Sequence, residues 1–198
     1  MKTRVHLERP ALRRESDYLD GVRRSRALHR GFVSTGATSE EYRQYLRRTR
    51  RSTQESFFVV LSASRALAGV INVNDIVRYS LQCGQLGYYA FEPYAGLGLM
   101  REGLALVVCE AFGKLGLHRL EASVQPRNVR SIALLRSLGF SVEGVARRYL
   151  KIGGRWLDHE RWALLREDWP LVRRGLSAER ASVPGTMPSR RAQGVRNA

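Results

Sequence analysis

The chain has 198 residues, about the length of one domain, and its 34 basic residues against 18 acidic ones give a formal net charge of +16. Its 43% hydrophobic and 9% aromatic residues exclude a disordered chain and indicate a folded domain. The positive charge favours acidic partners, such as a phosphorylated ligand, RNA, an acidic protein or an anionic membrane, but net charge does not choose among them. Almost all of the basic residues are arginines, and an arginine-rich but merely solvated surface is the alternative explanation.

The cysteines and the N-terminus predict neither a metal site nor a secretion signal. Cys83 and Cys109 have no metal-binding or redox spacing, and a secreted disulfide framework usually carries more cysteines. Residues 1–10 lack the apolar stretch of a signal peptide, and the most apolar stretch, residues 104–112, is too short to span a bilayer. We therefore expect a cytoplasmic protein without a membrane segment.

The first quarter of the chain predicts a strand followed by two helices. Apolar and polar residues alternate over residues 4–8 as in a strand, and residues 12–26 predict an arginine-rich helix. Ser39 is the predicted N-cap of a second helix that ends near Arg51.

The rest of the folded part predicts a hairpin and then alternating strands and helices. Apolar runs at residues 57–61 and 68–73 predict a hairpin that is buried on both faces. The elements predicted after it are a strand at 85–91, a helix at 100–115 closed by Gly116, a strand at 118–124, a helix at 128–138 and a strand pair at 149–150 and 156–165. This order predicts a mixed α/β sheet with helices on both faces.

The composition of the chain changes near its C-terminus. Beyond residue 176 it is rich in Ser, Ala, Pro, Gly and Arg and has no apolar periodicity. We predict one domain over residues 1–172 and a basic, disordered tail over residues 173–198.

Two glycines between a strand and a helix form the most informative motif. Gly96 and Gly98 lie where the strand ends and the helix begins, so several backbone N–H groups and the helix dipole are free to bind a pyrophosphate. A glycine turn without a ligand is the alternative. A dinucleotide-binding fingerprint fits poorly, because Arg101 stands where it needs a third glycine, and the Gly-Lys-Ser/Thr of a P-loop is missing.

A second motif lies at the start of the helix at residues 128–138. Asn128 can cap this helix, and Ser131 lies on the same face one turn later. An ordinary capped helix has the same two residues, so the motif alone does not indicate a ligand.

Taken together, the two motifs resemble the core of the GNAT acetyltransferase superfamily. Segments 96–102, 117–122, 138–144 and 149–159 further resemble the ribosomal-protein alanine N-acetyltransferases of the RimJ/RimL group. The resemblance extends from about Arg4 to Trp169 and is strongest from Gly87 onward. It implies a twisted, mostly antiparallel sheet of about seven strands in which a splayed central pair holds the cofactor. It also implies direct transfer of an acetyl group from acetyl-CoA to an amine, without a metal.

The same resemblance assigns roles to particular residues. It implies that the backbone of Gly96, Leu97, Gly98, Leu99 and Met100 binds the pyrophosphate of acetyl-CoA. The pantetheine arm would then be hydrogen-bonded by the strand Tyr88–Phe91, with Tyr89, Ala90 and Phe91 as the named contacts, and would reach Asn128. Ser131 would protonate the leaving thiolate. The sequence departs from the family pattern at Ala95, where a basic residue or Gln is usual, and at Met100, where a small residue is usual. Neither departure removes a backbone donor.

The group that accepts the proton of the attacking amine is left open by the sequence. Five side chains are candidates: Glu92, Glu121, Tyr149, Asp158 and His159. Each also has an ordinary structural explanation as a strand, wall, turn or rim residue. We take Ser131, Tyr149 and Glu92 as the predicted catalytic set.

Three functions remain open from the sequence. The first is acetylation of a protein N-terminus, as in the ribosomal-protein group, and the second is acetylation of a small amine such as an antibiotic, polyamine or amino acid. The third is a non-catalytic protein that binds a ribosome or RNA through arginine clusters at residues 13–14, 23–24 and 47–51. We expect a monomer or a homodimer.

Overall fold

The structure is a computed structural model that describes residues 3–170. Within this range, seven strands form one sheet in the order β1-β2-β3-β4-β5-β7-β6. The strands are β1 (Val5–Glu8), β2 (Glu55–Leu61), β3 (Leu67–Val77), β4 (Cys83–Ala90), β5 (Arg119–Val124), β6 (Ser141–Ile152) and β7 (Arg155–Leu165). The β4–β5 pair is parallel and the other neighbouring pairs are antiparallel. The predicted sheet is confirmed in class, in strand number and in its mostly antiparallel pairing.

Helices cover both faces of the sheet, as predicted. They are α1 (Glu15–Arg24), α2 (Arg26–His29), α3 (Ser39–Arg48), α4 (Leu99–Gly113) and α5 (Val129–Ser137). The core between the sheet and helices α4 and α5 contains aliphatic residues such as Leu104 and Leu135, whereas the core beneath α1 and α3 contains Tyr18, Tyr42 and Tyr45. The hairpin of β2 and β3 lies between the two cores, and its side chains from Phe57 to Val60 are at most 3% exposed.

The single helix predicted over residues 12–26 is wrong. A 3-10 turn at Leu12–Arg14 precedes α1, and the helix is interrupted at Ser25 before α2 begins. Ser25 is buried, and its hydroxyl donates a hydrogen bond of 2.7 Å to the carbonyl of Gly21. Serine competes in this way with regular helical hydrogen bonding, and the periodicity of apolar residues does not reveal it.

The predicted N-cap of α3 is wrong by one residue. Thr38 is the cap, because its hydroxyl accepts from the N–H of Glu41 while the Glu41 carboxylate accepts from the N–H of Thr38. This reciprocal capping box requires a Glu three residues after the cap, and Tyr42 stands at that position relative to Ser39. The helix ends at Arg48 rather than near Arg51.

The sheet splits between β4 and β5. Their parallel pairing runs from Cys83 opposite Arg119 to Leu86 opposite Ala122 and then stops. Strand β4 continues to Ala90 along β3, while β5 continues to Val124 along β7. A wedge-shaped opening therefore separates the second halves of β4 and β5, and we call it the β4–β5 gap. It confirms the splayed central pair.

The last two strands form a long arm at the edge of the sheet. The predicted closing pair at residues 149–150 and 156–165 lies within β6 and β7, and β6 begins eight residues earlier than predicted, at Ser141. The predicted tail at residues 173–198 lies outside the described residues.

Candidate active site

The glycine turn connects the end of β4 to the start of α4. Gly98 caps α4 with a φ of 75°, a left-handed conformation that favours glycine, and Gly96 has a φ of 80°. The N–H groups of Leu99 and Met100 belong to the first turn of the helix and have no intrahelical partner. Both side chains are buried and anchor the helix to the core, while Leu97 is 55% exposed. The turn thus offers free amides at the positive end of a helix dipole, which is a favourable place for a phosphate.

An arginine directly before the first strand supports this turn. The Nη2 of Arg4 donates to the carbonyl oxygen of Leu97 at 3.0 Å, and the Nε of Arg4 forms an ion pair of 2.6 Å with Glu102 in α4. A cation therefore stands beside the turn although Ala95 replaces the usual basic residue. Sequence patterns did not identify Arg4, because its contact with Leu97 spans 93 residues.

The backbone of β4 presents two residues to the β4–β5 gap. The N–H of Phe91 donates to Ala68 at 2.7 Å, so Phe91 faces β3. Along an antiparallel strand, the backbone N–H and C=O groups of successive residues point alternately to one side and the other. Those of Tyr89 therefore also point to β3, whereas those of Tyr88 and Ala90 point to the gap. Within the predicted pantetheine strand Tyr88–Phe91, the backbones of Tyr88 and Ala90 face the gap, and those of Tyr89 and Phe91 face β3.

Helix α5 forms the wall of the gap opposite β4. Asn128 caps this helix, as predicted, by accepting a hydrogen bond from the N–H of Ser131 at 3.2 Å. The hydroxyl of Ser131 lies 2.6 Å from the hydroxyl of Tyr88. Burial raises the pKa of Tyr88 to about 12, so its phenol stays protonated at neutral pH. Sequence analysis named Ser131 but not Tyr88 as a proton donor.

A cleft lies on the other face of β4, beneath α1 and α3, and we call it the tyrosine cleft. It has a volume of about 400 Å³. Its lining residues are Tyr18, Val33, Ser34, Thr35, Gly36, Glu41, Gln44, Tyr45, Arg48, Asn72, Asn74, Gly87, Tyr88 and Tyr89. The phenols of Tyr18 and Tyr89 lie 3.1 Å apart, and the phenol of Tyr45 donates to Asn72. Because Gly87 and Tyr88 belong to the splayed part of β4, the cleft adjoins the gap.

A buried histidine contacts the end of β4 and was not identified from the sequence. The Nε2 of His29 lies 2.8 Å from the carbonyl oxygen of Ala90, and the ring packs edge-on against Tyr89. Burial lowers the pKa of His29, so the ring is neutral at pH 7 and donates through Nε2–H. Its Nδ1 is then an acceptor, and it is buried without a hydrogen-bond partner among residues 3–170.

The predicted catalytic residues Glu92 and Tyr149 lie in different surroundings. Glu92 lies two residues after the end of β4, and its N–H donates to the hydroxyl of Ser25 at 2.9 Å. Its charge acts on His29 to oppose the fall in the histidine pKa caused by burial. Tyr149 lies on the β6–β7 arm between His159 and Arg161 and makes no hydrogen bond to another described residue. Ser131 is therefore hydrogen-bonded to Tyr88 and not to Glu92 or Tyr149.

The three other proton-acceptor candidates have structural partners. Burial opposes ionisation of Glu121, but hydrogen bonds from Arg119 and Arg161 outweigh it and lower the pKa of this carboxyl. Asp158 accepts the N–H of Arg148 at 2.7 Å and borders a separate hollow of about 410 Å³. His159 is 2% exposed, with its Nδ1 at 2.9 Å from the carbonyl of Leu157.

The described part of the chain contains no group of three or more His, Cys, Asp or Glu side chains arranged to hold a metal ion. None of the helices in residues 3–170 is long and apolar enough to cross a membrane.

Comparison with known proteins identifies the family. Residues 4–141 match the family model described as Acetyltransferase (GNAT) domain. The probable N-acetyltransferase YjcK of Bacillus subtilis is 38% identical over 63% of this chain and 69% of its own length. The ribosomal protein uS5-alanine N-acetyltransferase of Escherichia coli is 39% identical over 53% of this chain and 54% of its own length.

A solved structure supports the same assignment. The ribosomal-protein-S5-alanine acetyltransferase of Vibrio fischeri superposes with a TM-score of 0.76 and 25% identity, covering 85% of this chain and 97% of that protein. The resemblance inferred from the glycine turn and the capped helix is therefore confirmed. The chain belongs to the GNAT acetyltransferase family and is an N-acetyltransferase, an enzyme that transfers an acetyl group from acetyl-CoA to an amine.

Proposed function

We propose that this enzyme acetylates the N-terminal α-amine of a protein, by direct transfer in a complex that holds both substrates. The observation that carries the proposal is the continuity of three features: the glycine turn at Gly98, the β4–β5 gap and the tyrosine cleft. They provide an anion site, a slot beside an unpaired strand and a separate cleft for an acceptor. The E. coli and V. fischeri relatives are named for action on an alanine of a ribosomal protein, which supports an N-terminal acceptor.

The donor side of the site fits acetyl-CoA. The free amides of Leu99 and Met100 suit its pyrophosphate, and Arg4, paired with Glu102, lies beside them. The backbone of Tyr88 and the N–H of Ala90 suit the amide-bearing pantetheine arm, while the Ala90 carbonyl is bonded to His29. Acetyl-CoA supplies an acetyl group that is activated as a thioester. A backbone N–H of β4 at the gap is positioned to stabilise negative charge on a carbonyl oxygen.

The leaving thiolate requires a proton donor. A thiol ionises near pH 8.5 and is a stronger acid than either hydroxyl of the Tyr88–Ser131 pair, so the pair would donate a hydrogen bond to the thiolate and pass on to it the proton that the attacking amine releases. The hydrogen bond between them lets one hydroxyl replenish the other. We therefore extend the role expected for Ser131 to the pair.

The attacking amine must be neutral. A protein α-amine ionises at about pH 7.7–8.0, so a weak base is sufficient, whereas a lysine side chain at about 10.4 needs more help. Neutral His29 and the nearby carboxylate of Glu92 are at the end of β4 where this proton would leave. Tyr149 and Glu92 remain candidate acceptors of the amine proton, and His29 is a third candidate.

A small amine is the second candidate acceptor. A cleft of about 400 Å³ is large enough for one, and it does not by its size distinguish a free amine from the first residues of a peptide. A purely ribosome- or RNA-binding role has less support, because the glycine turn, the gap and the Tyr88–Ser131 pair are all retained.

The proposal is tested with the purified full chain. Calorimetric titration with acetyl-CoA is followed by a thiol-release assay against a peptide that begins with alanine, with the same peptide blocked at its N-terminus as the control. We expect the protein to bind acetyl-CoA and to release thiol with the free peptide but not with the blocked peptide. Binding with release from a small amine but from no peptide would replace the protein acceptor with the small-amine candidate.

A further inference from the structure

The tyrosine cleft contains two charged side chains, and only one of them lacks a partner among the described residues. The first, Glu41, accepts hydrogen bonds from the N–H groups of Ala37 and Thr38 and from the hydroxyl of Thr38. These bonds lower the pKa of Glu41 and tie its carboxylate to the cap of α3. The carboxylate of Glu41 therefore stays ionised in the cleft, and its hydrogen-bonding capacity is used by the cap of α3.

The second charged side chain is Arg48, in the last turn of α3. Its guanidinium forms no ion pair or hydrogen bond with another residue in the range 3–170, whereas its neighbour Arg47 forms an ion pair with Glu40 at 3.0 Å. Burial raises the pKa of both Tyr18 and Tyr89, and the charge of Arg48 opposes that rise at each of them. The guanidinium thus acts on the phenols at the floor of the cleft.

The remaining polar groups near the floor are uncharged. Asn72 and Asn74 lie on β3, and Gln44 lies on α3. Gly87 has no side chain and leaves the floor open beside Asn74, whose amide nitrogen would be 3.1 Å from an added Cβ. An acceptor that reaches the gap across Gly87 therefore meets neutral hydrogen-bonding groups, the capped carboxylate of Glu41 and the guanidinium of Arg48, unpaired among the described residues.

We propose that the preferred acceptor carries a carboxylate close to its reactive amine and that Arg48 binds this carboxylate. The inference rests on the proposed function and specifies its substrate class. An Arg–carboxylate pair is charge-assisted and directional, and Arg48 is an exposed residue in the cleft lining, so an acceptor can reach its guanidinium. A polyamine has the opposite charge and would meet an unpaired guanidinium in the cleft.

The carboxylate has two possible sources, which share one chemistry. It is either the side chain of an Asp or Glu just after the N-terminal residue of a protein, or the main-chain carboxylate of a free amino acid or dipeptide. Four amidated peptides that begin Ala-Asp, Ala-Glu, Ala-Asn and Ala-Lys test the first source. Alanyl-alanine with a free and with an amidated C-terminus tests the second.

The experiment compares kcat/KM for these acceptors in the wild type, Arg48→Ala, Arg48→Glu and the control Arg43→Ala. Arg43 lies on the same helix, is exposed and does not line the cleft. We expect the wild type to prefer an acidic acceptor over its neutral counterpart by about 10- to 100-fold, the range for one charge-assisted contact. Arg48→Ala should abolish this preference, Arg48→Glu should shift it to Ala-Lys, and Arg43→Ala should keep it.

The outcomes separate this inference from the proposed function. If kcat/KM does not depend on the charge of the acceptor, or if the preference persists in Arg48→Ala, the proposed role of Arg48 is wrong. The proposed acetyltransferase function is then unaffected. If the enzyme transfers acetyl to none of these acceptors, and to no polyamine added as a further acceptor, the result counts against the proposed function itself. Calorimetry with acetyl-CoA should give equal affinity for all four proteins, which verifies that the variants fold.

Discussion

The hydroxyl of Tyr88 lies 2.6 Å from the hydroxyl of Ser131, so β4 and α5 are joined by a hydrogen bond across the gap. If this pair returns the proton to the leaving thiolate, Tyr88→Phe and Ser131→Ala should each lower kcat by about 10²-fold or more, since general acid catalysis contributes about 10²- to 10⁴-fold. The double variant should lose little more than the worse single variant, because the two hydroxyls act as a unit.

The control for these variants is Ser137→Ala at the other end of α5, whose hydroxyl donates to Leu134. Stopped-flow measurement of thiol release with saturating acetyl-CoA isolates the chemical step. Unchanged rates in both Tyr88→Phe and Ser131→Ala would remove the pair from the mechanism.

The left-handed Gly98 gives a second prediction, about donor binding. Gly98→Ala places a Cβ on a residue with a φ of 75° and within 3.3 Å of the guanidinium of Arg4. The conformation costs about 1–2 kcal/mol, so we expect acetyl-CoA affinity to fall by about tenfold as the turn shifts. Gly113→Ala in the same helix has no such φ and open space around it, and should retain the affinity. Calorimetry on both variants decides whether the turn binds the donor, since equal affinities would exclude it.

The capping box of α3 gives a third prediction. Thr38→Ala removes the hydroxyl that accepts from Glu41 and should lower the free energy of unfolding by about 1 kcal/mol. Ser39→Ala is the matched control and should change the free energy little, because Ser39 is an exposed first-turn residue and does not supply the cap. Urea denaturation curves measure both. A larger loss for Ser39→Ala would mean that the helix begins one residue later than the structure has it.

A fourth prediction concerns the acid stability of the contact between β1 and the 3-10 turn that precedes α1. Glu8 is hydrogen-bonded by Arg14, which lowers the pKa of the Glu8 carboxyl from 4.5 to about 2. A carboxyl whose folded-state pKa is depressed stabilises the protein above its unfolded pKa and loses that contribution as the pH falls. We therefore expect stability to decline between about pH 4.5 and pH 2 through this group.

Glu8→Gln should cost about 2 kcal/mol at pH 7 and progressively less below pH 4, because the wild-type carboxyl is then protonated too. Glu143→Gln removes an exposed partner of Arg119 and should cost at most about 1 kcal/mol. Urea midpoints from pH 3 to pH 7 give both values, and a pH-independent cost for Glu8→Gln would contradict the assigned pKa.

Local chemistry explains which parts of the fold and the site could be predicted. The glycine turn at Gly98 and the Asn128 cap depend on residues within one helical turn, and both were identified. The break at Ser25 is also local, but a single side-chain hydrogen bond produces it and apolar periodicity does not register one bond.

Contacts between distant residues were not predictable in the same way. Tyr88 and Ser131 are 43 residues apart, and His29 and Ala90 are 61 apart. The sheet brings these pairs together through its crossover between β4 and β5 and through the packing of α2 on β4. The pattern within each segment carries no information about contacts between distant segments. The pairing of Tyr88 with Ser131 and the roles of His29 and Arg4 were therefore found only in the structure.

The central claim is that this enzyme places an acetyl group on a protein α-amine. The most direct test is mass spectrometry of a peptide that begins Ala-Asp and contains one internal lysine, after incubation with the enzyme and acetyl-CoA. We predict one added acetyl group, located by fragmentation on the N-terminal nitrogen. Acetylation of the lysine instead, or of free small amines but not of the peptide, would contradict the claim.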